Sequence, residues 1–317
     1  MKDLSPRYDV RRATPADAEA VHAVIAAYQR AAIGRLDYTL EDVRDDLRST
    51  DGNLATDAWL VVDAAGGDAA GWGYAWPGGG DGTIVDVDVF ATDPALADRL
   101  WETVLERAGE IGRERGWPSV TVDAGVYRED TASAARLAGY GFEVGTVYQR
   151  LRIDHTGEVA FPPLPPGFTA RNGAESEQIR RDAHAVREAA FHDHYGHVRR
   201  EFGDWAANLE TGSVHDWSFL TVLYTDAGEP AGLVLRSTMF VPDEKCGYVR
   251  LLGVHPAFQG RGLGRWLLRH AFAADARDGY VGSILHVDSD PRRPALGLYL
   301  SEGMRVAVII DAWRRVM

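Results

Sequence analysis

A single cysteine, Cys246, stands among the 317 residues, so no internal disulfide is possible. That scarcity fits a reducing, cytoplasmic compartment, and the lone thiol reads as a small apolar filler. No run of about 18 apolar residues occurs, and no membrane-spanning helix is expected. The stretch from Met1 to Arg7 has no apolar core, so it does not read as a secretory leader. Positive charge is also in short supply: 34 Lys and Arg face 47 Asp and Glu, a formal net charge of −13. A surface of that sign repels phosphate backbones, which argues against nucleic acid as a general partner. What the chain does have is 45% hydrophobic residues, enough for substantial cores. Its length suggests two domains at about 150 residues each.

The most informative stretch runs from Val249 to Arg277. An apolar strand ends near Val254, where Pro256 cannot continue a ladder. Gly260, Gly262 and Gly264 follow, and then Leu263, Trp266, Leu267, His270, Ala271 and Ala274 fall at helical spacing. Strand, glycine-rich loop and helix together form an anion cradle. Glycines let successive N–H groups turn inward, and the start of the helix favours negative charge. Arg261 and Arg265 add mobile positive charge. The loop is not a Walker loop, because no Gly-Lys-Ser/Thr follows. The spacing of its glycines also fits a dinucleotide fingerprint poorly. A flexible turn entering a structural helix is the plain alternative.

Taken in order, the chain reads as a strand, two helices, three strands, a helix, a strand, a helix and a final strand pair ending near Ile153. Phe161-Pro162-Pro163-Leu164-Pro165-Pro166-Gly167 then interrupts as a stiff extended linker. After it the same order returns, from Phe168 to about Trp313. Matching orders in two halves imply an internal duplication. The expected fold class is α/β, with a mixed central sheet carrying helices on both faces, built twice. The expected domains are 1–155, a linker over 156–167, and 168–317.

Gln259-x-x-Gly262-x-Gly264 after a Val-x-Pro strand end resembles the pyrophosphate loop of the GNAT acetyltransferases. Over its whole length the chain resembles the tandem-GNAT proteins of the mycothiol synthase-like type. The resemblance rests on motifs in the second half and on element order in the first. It implies that Leu252, Gly253 and Val254 pair with the pantetheine of acetyl-coenzyme A. Gln259, Gly260, Arg261, Gly262, Leu263, Gly264 and Arg265 would hold its pyrophosphate. Leu298-Tyr299, followed by Gly303-Met304, is similar to the family's Leu-Tyr helix ending. Tyr299 would protonate the departing thiolate, which a phenol of ordinary pKa about 10 can do at neutral pH. The alternative for Tyr299 is an aromatic anchor for its helix.

A protonated amine must lose a proton before it attacks, and the family often uses a glutamate on the fourth strand. This chain has Tyr248 at that position, with Asp243 and Glu244 just upstream. The base is left open between Glu244, Tyr248 and a water relay. His286, at the end of the fifth strand, matches a position that faces the acceptor, and a surface histidine is its plain reading. His192, Asp193 and His194 open a histidine-rich stretch reaching His197. Its candidate roles are acceptor contacts in a loop, helix caps or a metal site. No helical His-Glu-x-x-His pattern is present, and no metal is expected.

The first half carries Ala91-Thr92-Asp93-Pro94 where the second has its glycines, and Asp93 and Asp98 would repel a pyrophosphate. It is expected to be a degenerate, non-catalytic copy. The expected activity is acetyl-coenzyme A dependent N-acetylation of a small-molecule amine by direct attack on the thioester. Mycothiol synthesis itself and a non-catalytic acyl-coenzyme A sensor or scaffold stand as alternatives. A different donor, such as succinyl-coenzyme A, is also compatible, because the cradle reads the pyrophosphate. Fused domains can mimic a homodimer, and a monomer is preferred.

Overall fold

The computed structural model describes residues 5–49, 52–78, 82–192, 199–212, 214–288 and 295–317. In chain order the first elements are β1 (Tyr8–Arg11), α1 (Ala18–Ile33), α2 (Leu40–Asp46), α3 (Leu54–Asp57), β2 (Ala58–Asp63), β3 (Ala69–Pro77) and β4 (Ile84–Ala91). Then come α4 (Pro94–Glu114), β5 (Thr121–Tyr127), α5 (Thr131–Gly139) and β6 (Glu143–Asp154). The second run is β7 (Phe168–Asn172), α6 (Glu177–Phe191), α7 (Phe202–Glu210), β8 (Leu220–Thr225), β9 (Pro230–Ser237) and α8 (Val241–Glu244). It closes with β10 (Cys246–Val254), α9 (Leu263–Arg277), β11 (Gly282–Asp288), α10 (Ala295–Ser301) and β12 (Arg305–Val316).

The chain packs as two units: Met1–Val147 with Ile309–Met317, and Tyr148–Val308. A linear reading divides it at the proline segment; packing divides it inside β6 and sends the end of β12 back to the first unit. The reason is a strand exchange. β12 lies antiparallel to β5, from Ile310↔Tyr127 to Val316↔Thr121. β6 lies antiparallel to β11, from Gly282↔Asp154 to Asp288↔Tyr148. Each unit therefore completes its sheet with a strand from the other half of the sequence.

In the first unit, β4 alternates cleanly. Val85, Val87 and Val89 are buried against Leu96, Leu100 and Val104 of α4, while Asp86 and Asp88 point the other way. The opposite face of the sheet packs Leu60, Trp72 and Tyr74 against Val21 and Ile25 of α1 and Val43 of α2. In the second unit, α9 covers one face through Leu267, Leu268 and Ala271, packed on Val249 and Leu285. α6 and α7 cover the other through Ile179, Val186 and Trp205, packed on Val222 and Leu235. The proline segment lies along α9: Trp266 Nε1 donates to the Pro163 carbonyl at 2.8 Å, and the Phe161 and His270 rings are 5.3 Å apart. Among the described residues no helix is long and apolar enough to cross a membrane.

Candidate functional site

β10 organises the site. It runs parallel to β11 only at Cys246↔Gly282, Gly247↔Ser283 and Tyr248↔Ile284. Past Tyr248 the strands part, so among the described residues no strand pairs with that edge of Val249–Val254. On its other edge β10 follows β9 to Val254↔Gly232, with Arg250 inserted as an extra residue between Val249↔Arg236 and Leu251↔Leu235. A bulge of this kind bends the strand and re-aims its side chains. The outcome is a wedge between β10 and β11 with unpaired backbone along one wall, suited to an extended amide-bearing chain.

At the open end of the wedge comes a short turn, Pro256–Phe258. Gln259 folds back across it, Nε2 donating to the Val254 carbonyl at 3.2 Å. Gly260 and Gly262 have φ of +75° and +78°, and nothing lies within 4 Å of where a Cβ would stand on either. Gly262 is the N-cap of α9 and supplies no capping side chain. The N–H groups of Leu263, Gly264 and Arg265 thus start a helix without a side-chain cap, the arrangement that attracts phosphate. The Leu263 side chain is buried in the core, so this residue offers the site its backbone only. At Gly264 a Cβ would stand 3.4 Å from Leu298 of α10, so the glycine permits close helix approach. Arg261 is exposed, its guanidinium 5.3 Å from the Phe258 ring centroid. Arg265 is tied to Glu302 at 2.7 Å, and Glu302 also holds Arg269 at 2.6 Å. Glu302 was not singled out from the sequence; nothing local marks a carboxylate 33 residues beyond Arg269 as its partner.

Leu252 and Val254 pack toward α9, whereas Gly253 faces α6, where a Cβ would stand 3.1 Å from the Phe191 ring. Tyr299 is buried in the cluster that contains Val249, Leu263, Leu285 and Val287, the residues flanking the wedge on its α9 side. Burial pushes its hydroxyl up to about 12, so the group holds its proton throughout the neutral range.

The sequence candidates at the acceptor end separate into two groups. Tyr248 and His286 come together, with the hydroxyl 3.2 Å from Nδ1 and the rings in an edge contact at 5.7 Å. Glu244 is committed elsewhere. Its carboxylate pairs with Arg150, which is buried against Phe240, and accepts from Arg152 at 2.5 Å. A carboxylate held by two guanidinium groups is a structural ion pair rather than a base positioned for an amine. His192 is exposed at the C-cap of α6, and Asp193 and His194 lie outside the described residues. Among the described residues no group of three His, Cys, Asp or Glu side chains converges as metal ligands would.

Residues 178–304, all within the second unit, match the family described as Acetyltransferase (GNAT). A mycothiol acetyltransferase of Salinispora tropica is 29% identical over 204 residues, which span 61% of this chain and 60% of that protein. In fold, the chain is similar to a GCN5-related N-acetyltransferase from Sphaerobacter thermophilus (TM-score 0.81, 24% identity, 99% of this chain and 96% of that one). It is also similar to a tandem GNAT protein from the clavulanic acid biosynthesis pathway (TM-score 0.71, 16% identity, 98% of each chain). These likenesses span both units, and they give the fold of two tandem GNAT domains.

Proposed function

We propose that the second unit, whose residues 178–304 match the GNAT acetyltransferase family, is an acetyl-coenzyme A dependent N-acetyltransferase acting on a small-molecule amine. The observation that carries the reading is the start of α9. It is a glycine-opened helix N-terminus with no side-chain cap, at the mouth of a strand pair that parts after three residue pairs. The loop N–H groups and Arg261 would hold the pyrophosphate. The unpaired edge of Leu252–Val254 would bind the pantetheine amides.

The amine adds to the thioester carbonyl, forming the C–N bond of a tetrahedral intermediate, and its collapse breaks the C–S bond and releases the thiolate. No covalent enzyme intermediate is needed. The Val254 N–H would polarise the carbonyl oxygen. The Tyr248–His286 pair would take the ammonium proton, directly or through water. Tyr299, protonated at neutral pH, would return a proton to the thiolate.

The test is thiol release from acetyl-coenzyme A over a panel of primary amines. Tyr299→Phe is expected to lower kcat by about 10²- to 10³-fold with coenzyme binding retained. An unchanged kcat would remove Tyr299 from the acid role. Absence of thiol release with every amine would instead favour an acyl-coenzyme A sensor. A second reading, mycothiol synthesis, draws on the Salinispora relative.

A further inference from the structure

Within the second unit most arginines are spoken for: Arg150, Arg152, Arg171, Arg180, Arg236 and Arg265 all pair with carboxylates. Arg250 differs. It is half-buried, and among the described residues it has no hydrogen bond, ion pair or ring contact. A half-buried guanidinium with no carboxylate partner among the described residues is left open to an anion.

Its position comes from the bulge. Val249 points toward α9 and Leu251 toward α6 and α7. Regular alternation would give residues two apart the same face, so the inserted residue and Leu251 share the α6/α7 side. Tyr248 and Ile284 pack with Phe240 rather than in the α9 cluster, and His286, two residues after Ile284, continues that face. Arg250 therefore lies on the acceptor side of the sheet, about 7 Å along the strand from Tyr248. The phosphate loop is farther away, beyond Val254 at about 13 Å along the strand.

A second donor stands beside it. The paired registers Leu220↔Leu235 and Leu251↔Leu235 bring the start of β8 level with the bulge. His215, just ahead of β8, packs edge-on against Trp217 with ring centroids 4.4 Å apart. Its Nε2 is buried with no hydrogen-bond partner among the described residues. Burial and the field of Arg250 hold its imidazole below the ordinary range. Of the neighbouring charged groups, Glu210 accepts from Trp217 Nε1 at 2.8 Å and Asp216 accepts from the Ser218 N–H at 2.7 Å. Arg180 is held by the Gly173 carbonyl at 2.9 Å. Among the described residues two neighbouring polar groups, the Arg250 guanidinium and His215 Nε2, lack a partner, and Glu210 and Asp216 already accept other hydrogen bonds.

We infer that Arg250 and His215 together bind an anionic group, a carboxylate or a phosphate, carried by the amine acceptor. The inference rests on the reading of the second unit as an acetyltransferase and names the class of its substrate: an amine bearing an anion several ångströms from the nitrogen. Either anion accepts two charge-assisted hydrogen bonds, and a guanidinium presents them in a matching fork.

Matched acceptors test it. α-Amino acids are compared with their carboxamides, and glucosamine 6-phosphate with glucosamine, by thiol release from acetyl-coenzyme A. At least one anionic member is expected to exceed its neutral partner about 30-fold or more in kcat/KM, and which pair shows the gap identifies carboxylate or phosphate. Arg250→Gln should collapse that ratio toward one, mainly through KM. Arg250→Lys should restore part of it, and His215→Asn should reduce it less. A ratio unchanged in Arg250→Gln, with acetyl-coenzyme A titration showing the variant folded, would overturn the inference; so would the absence of any preference in the wild type. Failure of the acetyltransferase reading looks different, with no thiol release from any pair. Calorimetric titration with the same anionic amines then decides: binding lost in Arg250→Gln supports the site, and no binding to the wild type overturns it.

Discussion

β4 of the first unit and β10 of the second both pair with their parallel neighbour over three residues and then part from it. Beyond the parting the two strands differ. β10 carries a bulge at Arg250 and runs into a glycine loop, and α9 begins with no side-chain cap. β4 pairs with β3 without a shift in register, and α4 begins at Asp93, whose carboxylate accepts from the N–H groups of Ala95 and Leu96. The first unit thus supplies its own anion at the helix start. In the wedge stands Asp88, whose carboxyl group takes a hydrogen bond from the Gly125 backbone of β5 and another from the Tyr74 hydroxyl at 2.5 Å. Two aspartate side chains occupy the positions where the second unit offers bare N–H groups. The same frame leaves its donors open or closes them according to whether its own side chains satisfy them.

The sharpest way to break this comparison is to move the difference. Gly262→Asp places a capping carboxylate at the start of α9 where the first unit has Asp93. Acetyl-coenzyme A affinity is expected to fall about a thousandfold, roughly 4 kcal/mol, in a calorimetric titration. A loss under threefold would mean that the pyrophosphate does not use this helix start.

A smaller effect comes from opposite responses to pH. In the first unit, burial raises Asp46 and Asp88 to about 7. A carboxyl whose folded pKa lies above its unfolded value of about 4 stabilises the fold at low pH, and this contribution is lost as pH rises through about 7. In the second unit, burial lowers His270 to about 4, and His155 and His215 are lowered in the same direction. For a histidine depressed below its unfolded value of about 6.5, stability is lost as pH falls from about 6.5 toward the folded pKa. Acidification from pH 8 to 5.5 should stabilise the first unit, by about 2 kcal/mol for each of these carboxyls, and destabilise the second, by about 1 kcal/mol through His270. Hydrogen exchange corrected for intrinsic rates would show β3 and α2 better protected and α9 less protected. Parallel shifts in both units would contradict the assignment.

The smallest effect concerns the cap itself. Asp93→Ala should cost the first unit about 1 kcal/mol in denaturant unfolding. It should not create coenzyme binding there, because α4 lacks a glycine loop and Asp88 still bridges the wedge.

Much of this was legible in the sequence where the cause is local. Asp93-Pro94 announces a helix start, Val85, Val87 and Val89 announce a half-buried strand, and three glycines after Val254 announce the cradle. Causes that act across the chain left no local mark. Nothing within β12 says that its partner is β5, and nothing near Glu244 says that Arg150 and Arg152, more than 90 residues earlier, will claim its carboxylate. The meeting of Tyr248 with His286 depends on the register of β10 against β11, and the aim of Arg250 depends on one inserted residue.

The central claim is that one duplicated frame holds a single coenzyme site, in the second unit. Calorimetric titration of the full chain with acetyl-coenzyme A tests it most directly. One site per chain is expected, abolished by Gly262→Asp. Two sites per chain, or one site that survives the substitution, would contradict it.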